Sequence, residues 1–164
     1  MPRTNLESVM SQDVLPSAPI NPSPSGEVPL VVGLDLGGTK MAAALVDIDG
    51  TLQGPVASCP TPAHDGPAAM LEAISALVQK VVTAGTHRAP GAAVSIVAVG
   101  IGTAGVVDVE HGTILSATDA ITGWAGTRVA AGVRERLATA GLGALPVHVE
   151  NDVDAYAAGE AWLG

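Results

Sequence analysis

The 164-residue chain has no Phe, one Tyr and two Trp, so any interior must be built from aliphatic side chains. Its 28 Ala and 21 Val point to close packing of small and branched groups without aromatic anchors. Cations are scarce as well: 7 Lys+Arg stand against 16 Asp+Glu, a formal charge of −9, and the densest basic cluster is Arg134 with Arg136. A surface of that sign repels phosphate backbones and anionic lipid, which argues against nucleic-acid and membrane partners. The single Cys59 cannot form an internal disulfide, and no basic stretch precedes an apolar run near the N-terminus. No secretory signal is therefore read, and the cytoplasm is the expected compartment. The longest apolar candidate, Ala89 to Val107, is interrupted by glycines and falls short of the roughly 18–20 apolar residues a spanning helix needs. The length suits one domain or part of a two-domain protein.

What is present divides the chain near residue 30. Residues 1–29 hold six of the twelve prolines and few branched apolar residues, too little apolar surface to offset the entropy of ordering, and read as a disordered tail. From Leu30 the pattern changes. Leu30 to Asp35 is a buried-strand run, Gly37-Gly38-Thr39 a turn, and Met41 to Val46 a second strand. Asp49-Gly50 reads as a type I′ hairpin turn, leading to a third strand over Pro55 to Cys59. Asp65-Gly66-Pro67 starts a helix whose apolar residues Met70, Ile74, Leu77 and Val81 keep helical spacing until Gly85. Val94 to Ile101 reads as a strand buried on both faces, and Val106–Val109 with Thr113–Leu115 as a small hairpin. A helix over Thr127–Ala140, a strand over Pro146–Glu150 and a helix over Asp152–Leu163 complete the chain. The order β-β-β-α-β-(hairpin)-α-β-α predicts an α/β fold with a mixed sheet.

Two segments carry chemistry. In Asp35-Leu36-Gly37-Gly38-Thr39-Lys40 a carboxylate ends a strand, two glycines make the turn, and a hydroxyl and an ammonium follow. Glycines let backbone N–H groups approach phosphate oxygens, and Thr39 adds a donor. Asp35 fits beside a phosphate only with Mg2+ or its bound water between the two anions. Thr39 precedes Lys40 and a strand follows, so the segment is not a Walker A loop. The plainer reading is a tight Gly-Gly hairpin with an exposed strand-end carboxylate. The second segment, His148-Val149-Glu150-Asn151-Asp152, runs from a strand into a helix. A carboxylate at such a strand exit can accept the proton of a sugar hydroxyl attacking a γ-phosphate, and an Asn can orient the sugar. The plainer reading is an Asn or Asp N-cap.

The phosphate-loop candidate, together with Glu150-Asn151-Asp152, the glycine-rich Gly100-Ile101-Gly102-Thr103-Ala104-Gly105, and Ala117 to Trp124, resembles the ROK family of sugar kinases and sugar-responsive repressors. The four motifs follow the family order over about Leu30 to Gly164. The resemblance implies the actin/hexokinase/heat-shock ATPase-like (ribonuclease H-like) fold, with residues 30–164 as an amino-terminal lobe and a second lobe missing. It implies ATP and Mg2+ as cofactors, a hexose or amino-sugar derivative as substrate, and a homodimer for a full-length member. It makes Asp152 the catalytic base and Gly105, Asp119, Asn151 and Asp152 the sugar contacts. Asp35, Gly37, Gly38, Thr39 and Lys40 become the ATP-phosphate group, with Asp35 reaching Mg2+ through water. Asp119 stands where Asn is common, and Asp154 where many members carry a second Asn. The sugar is thus left open between glucose and an N-acylated relative. The family's zinc-binding cysteines, its Glu-x-Gly-His motif and its adenosine motifs have no counterpart in this sequence, so no zinc site is assigned and the chain is expected to be inactive alone.

Two other readings stand beside it. A sugar-sensing regulator would need a DNA-binding module, and about 29 residues with one Arg and no Lys are too few for one. A dinucleotide-binding oxidoreductase would use Gly100-x-Gly102-x-x-Gly105, with Asp119 further on, but that fingerprint must open a helix, and Val106-Val107-Asp108-Val109 reads as strand. His64, His87, His111 and His148 lack ligand spacing and read as surface or strand-face residues.

Overall fold

Alternation along the strands sets the architecture. In the computed structural model, which describes residues 27–86 and 94–163, β1 (Val28–Leu36) buries Leu30, Val32, Leu34 and Leu36 on one face while Asp35 points away from it. The strand starts two residues ahead of the expected Leu30; the rest of the expected tail, 1–26, lies outside the described residues. β2 (Lys40–Val46) returns antiparallel to β1, and β3 (Ala57–Pro60) pairs antiparallel with β2. The 21-residue helix α1 (Gly66–Thr86) then crosses to β4 (Val94–Thr103), which pairs parallel with β1. A two-stranded ribbon, β5 (Val106–Asp108) and β6 (Thr113–Ser116), stands apart from the main sheet. Helix α2 (Val129–Thr139) carries the chain to β7 (Val147–Asn151), parallel to β4, and α3 (Asp152–Leu163) follows directly. The main sheet has the order β3-β2-β1-β4-β7, the mixed α/β arrangement expected.

One face of this sheet is covered and the other is largely open. Met41 and Leu45 of β2, Val99 and Ile101 of β4, and Val147 and Val149 of β7 join the β1 residues in a core completed by Met70, Ile74, Leu77, Val78 and Val81 of α1 and Val133 and Leu137 of α2. Each such side chain contributes about 1.5–3 kcal/mol by leaving water. The core is aliphatic apart from Trp124; Tyr156 and Trp162, both on α3, are exposed. Helix α1 is long and apolar enough for a membrane span by length and hydropathy alone, although Glu72 and Lys80 interrupt its apolar run. Its apolar stripe lies on the sheet, as in a core helix.

Four local expectations are corrected. β4 is buried on one face only: Val99, Ile101 and Thr103 are buried, whereas the alternating Ala98, Gly100 and Gly102 are half-buried or exposed. Gly85 does not stop α1 but lies within it, where a Cβ would overlap the Leu45 side chain; the missing Cβ lets helix and sheet approach closely. Helix α2 begins at Val129 rather than Thr127. The Asp49-Gly50 turn is not type I′, because no non-glycine residue has positive φ. Asp47 N–H donates to Thr51 O, closing a three-residue loop with Gly50 at φ 76°, the form in which a left-handed residue supplies a bulge. Asp47 organises it: its carboxylate accepts from the N–H groups of Asp49 (3.0 Å) and Thr51 (2.9 Å) and from Gln53 Nε2 (2.7 Å). These donors, Thr51 foremost, hold the exposed carboxyl below its ordinary range.

Candidate functional site

Strand register brings the separated motifs together on the open face. Asp35 pairs with Ala42 on one side and Gly102 on the other, and Gly102 pairs with Glu150, so Ala42, Asp35, Gly102 and Glu150 form one row across four strands. The next row is Ala44, Gly33, Gly100 and His148. With strands about 4.8 Å apart, the central glycines leave a trough between flanking side chains. The first turn of α3 lies over its end: a Cβ on Gly102 would sit 3.7 Å from Ala155 Cβ and 3.9 Å from Asp152 Cα. The resulting cleft has a volume of about 760 Å³. Asp35, His148, Glu150 and Asp152 line it toward the carboxyl ends of the strands, and Val31, Val46, Val56 and Trp162 line the remainder.

The loop after β1 borders this cleft without lining it. Gly37 N–H donates to Lys40 O (3.2 Å), and a Cβ on Gly37 would stand 2.9 Å from that oxygen. Space, not a left-handed backbone, is what glycine supplies here, since Gly37 and Gly38 are absent from the positive-φ set. Thr61 braces the turn from the end of β3: its hydroxyl donates to Gly37 O (2.7 Å) and its N–H to Thr39 O (3.0 Å). Gly38, Thr39 and Lys40 are exposed. Among the described residues the N–H groups of Gly38 and Thr39 make no intrachain hydrogen bond, and Lys40 makes no ion pair.

Asn151 joins two of the motifs. Its Oδ1 accepts from the N–H groups of Val153 (2.9 Å) and Asp154 (3.4 Å), which makes it the N-cap of α3. Its Nδ2 donates to Gly105 O (2.6 Å), tying the glycine-rich loop to the start of that helix. The capping reading of this segment is thus realised by Asn151, while the exposed Asp152, whose Oδ1 also accepts from Val153 N–H (3.0 Å), lines the cleft. Asp152 and Asp154 stand in the first turn of α3, where the helix dipole favours negative charge. Glu150 Oε1 accepts from Asn151 N–H (3.0 Å). Gly105 has φ 109°, and a Cβ there would lie 2.6 Å from Ser116 O. β5 follows it at once, so no helix opens behind Gly100-x-Gly102-x-x-Gly105 and the dinucleotide fingerprint is not formed.

Asp119 is exposed in the loop between β6 and α2 and does not line the cleft. That loop meets the phosphate-loop candidate, since a Cβ on Gly38 would be 3.9 Å from Ala120 Cβ. It is anchored by Thr122 N–H to Ala63 O (2.8 Å) and by the buried Trp124, whose Nε1 donates to Thr103 Oγ1 (3.4 Å). The structure therefore gathers Asp35, Gly102 and Asp152 in one cleft, with Gly37–Lys40 and Gly105 beside it and Asp119 on a neighbouring loop. Glu150, His148 and Thr103 stand within the quoted sequence segments without a role assigned to them, and Thr61 lies outside those segments. For the first two, the signal was their spacing at two and four residues before Asp152 on a strand, which puts both on one face. His111, in the ribbon turn, is exposed, and its Nδ1 lies 2.8 Å from Asp108 Oδ2; this contact holds the Asp108 carboxyl below its ordinary range. His87 lies outside the described residues.

Among the described residues no three His, Cys, Asp or Glu side chains cluster as a cage for a metal ion. The donor set instead fits Mg2+, which takes one or two carboxylates and fills its other positions with water and phosphate oxygens. Asp35, an exposed carboxylate next to a loop with free N–H groups, is such a donor.

The model of the ROK family matches residues 31–164. Glucokinase of Streptomyces coelicolor is 36% identical over 137 residues, 82% of this chain and 36% of that protein. The crystal structure of a ROK family glucokinase from Streptomyces griseus, in complex with glucose and AMPPNP, superposes with a TM-score of 0.61 at 34% identity, covering 82% of this chain and 37% of that one. A ROK family transcriptional regulator, a homologue of the E. coli MLC protein, gives a TM-score of 0.64 at 15% identity over 80% of this chain and 30% of its own, a likeness of fold alone. The chain spans little more than a third of the glucokinases it matches.

Proposed function

Because the chain belongs to the ROK family, with the actin/hexokinase-like fold of its sugar kinases, we propose that it takes part in ATP-dependent transfer of a phosphoryl group to a hexose hydroxyl. The acceptor is glucose or an N-acylated hexosamine. Asp152 takes the proton from the attacking hydroxyl, a role that needs an exposed carboxylate at the strand exit. Asn151, fixed by the α3 cap and by Gly105 O, holds the glycine-rich loop where the sugar would lie. The N–H groups of Gly38 and Thr39, with Lys40, receive phosphate oxygens. Asp35 would hold Mg2+ through water, and the ion when bound neutralises phosphate charge. The observation that carries the reading is the register that sets Asp35 and Asp152 on one cleft across Gly102. The charge of −9 supports a role without nucleic-acid or membrane-surface partners.

Binding and transfer are tested separately. NMR titration of the 164-residue chain with glucose and N-acetylglucosamine should perturb Gly102–Gly105 and Asn151–Asp152. Replacing the matched span of the S. coelicolor glucokinase by residues 30–164 should give a kinase, and Asp152→Asn should lower its kcat about a thousandfold, within the usual contribution of a general base. An active chimera indifferent to Asp152→Asn would refute the role of Asp152. Sugar binding with no transfer by the chimera would favour the sugar-sensing regulator instead.

A further inference from the structure

Trp124 is 1% exposed, and Thr103, at the end of β4, is fully buried. The indole Nε1–H donates to Thr103 Oγ1 at 3.4 Å, and the same hydroxyl donates to Ala104 O at 3.4 Å. The next carbonyl, Gly105 O, is taken by Asn151 Nδ2. Successive carbonyls of the glycine-rich loop are therefore held by two different segments: Ala104 through Thr103 from the loop carrying Asp119, and Gly105 from the start of α3. Trp124 is itself fixed by the turn around it. Its N–H donates to Ile121 O (3.3 Å), its carbonyl accepts from Thr127 N–H (3.1 Å), and Gly123, at φ 68°, would put a Cβ 3.5 Å from Pro67 at the start of α1.

We propose that Trp124 and Thr103 are positioning residues, a buried latch that fixes the Asp119 loop relative to the Gly102–Gly105 loop and so sets the pose in which a hexose is read. Neither touches the sugar. The latch acts through Ala104 and through the backbone from Ile121 to Asp119. The hexose as ligand rests on the kinase reading above, whereas the coupling of the two loops does not. Packing alone does not call for the indole N–H. The indole aims its one donor at the one hydroxyl that ends β4, and with both side chains buried that bond has no competition from water.

The test uses the 164-residue chain and its variants Thr103→Val, Thr103→Ser, Trp124→Phe and Thr103→Val/Trp124→Phe. Hydrogen exchange followed by mass spectrometry should show Thr103→Val speeding exchange about tenfold in 104–107 and 117–123 but not in α1, with Thr103→Ser restoring protection. In glucose titrations, Thr103→Val and Trp124→Phe should each weaken binding about tenfold, the double variant should be no weaker than either single one, and Thr103→Ser should return to within about twofold of the parent. Faster exchange spread evenly over the chain would overturn the latch and leave a purely structural role for both residues. Single effects that multiply in the double variant would also overturn it. A parent chain that binds no sugar would refute the kinase reading, and the exchange pattern would then decide the latch by itself.

Discussion

Glycine at two positions answers different demands, which can be separated by measurement. Gly105 combines φ 109° with a Cβ position 2.6 Å from Ser116 O, whereas Gly126, at φ 82°, has nothing within 4 Å. Gly126→Ala should cost about 1 kcal/mol, the left-handed penalty alone. Gly105→Ala should cost about 3 kcal/mol or more by urea unfolding, because a carbonyl on the neighbouring ribbon must also move. At Asp47 the argument is electrostatic. Its carboxyl is held below the ordinary value of 3.8 by Thr51 N–H and its neighbours. The stabilisation is therefore complete above that value and is lost as pH falls through the lower folded value. Asp47→Asn should flatten the fall in the urea midpoint below about pH 4 while leaving its slope near neutrality unchanged.

Elements meet where side chains are missing as well as where they interlock. In α2, a Cβ on Gly132 would stand 2.6 Å from Leu71 Cδ1, 3.3 Å from Cδ2 and 3.4 Å from Cγ, so the buried Leu71 side chain must shift to admit it. Gly→Ala in a helix interior ordinarily stabilises by about 1 kcal/mol. Here overpacking against α1 should reverse the sign, to a net loss of about 1–2 kcal/mol in thermal or urea unfolding. A stabilised Gly132→Ala variant would mean that α1 and α2 pack more loosely than described. The 3.3 Å ion pair between Arg136 of α2 and Glu72 of α1 adds little, because the Glu72 side chain is 74% exposed.

At the scale of the whole molecule, charge governs the ligand. A chain of −9 repels the polyanion ATP, and the repulsion is least screened at low salt, where the Debye length exceeds about 10 Å. ATP alone should therefore leave the Gly37–Lys40 amide resonances nearly unmoved in about 50 mM salt. Mg-ATP should shift them, and EDTA should reverse the shift. Equal shifts with and without Mg2+ would count against a cation-mediated role for Asp35.

Element order, the single aliphatic core and the location of both chemical segments at strand ends were legible in the chain. The apolar run of β1, the helical spacing of Met70, Ile74, Leu77 and Val81, and the Gly-Gly turn are local properties that each segment carries alone. The type of the Asp47–Thr51 turn was misread because Gly50 alone takes the left-handed conformation. β4 looked buried on both faces because a run of Val, Ile and Ala does not reveal which face a helix will cover. Only the tertiary structure decided which residues meet. Register set Asp35, Gly102 and Glu150 in one row, Asn151 reached 46 residues back to Gly105, and Trp124 found Thr103. Those pairings join segments far apart in the chain through packing and hydrogen bonds that no local pattern encodes.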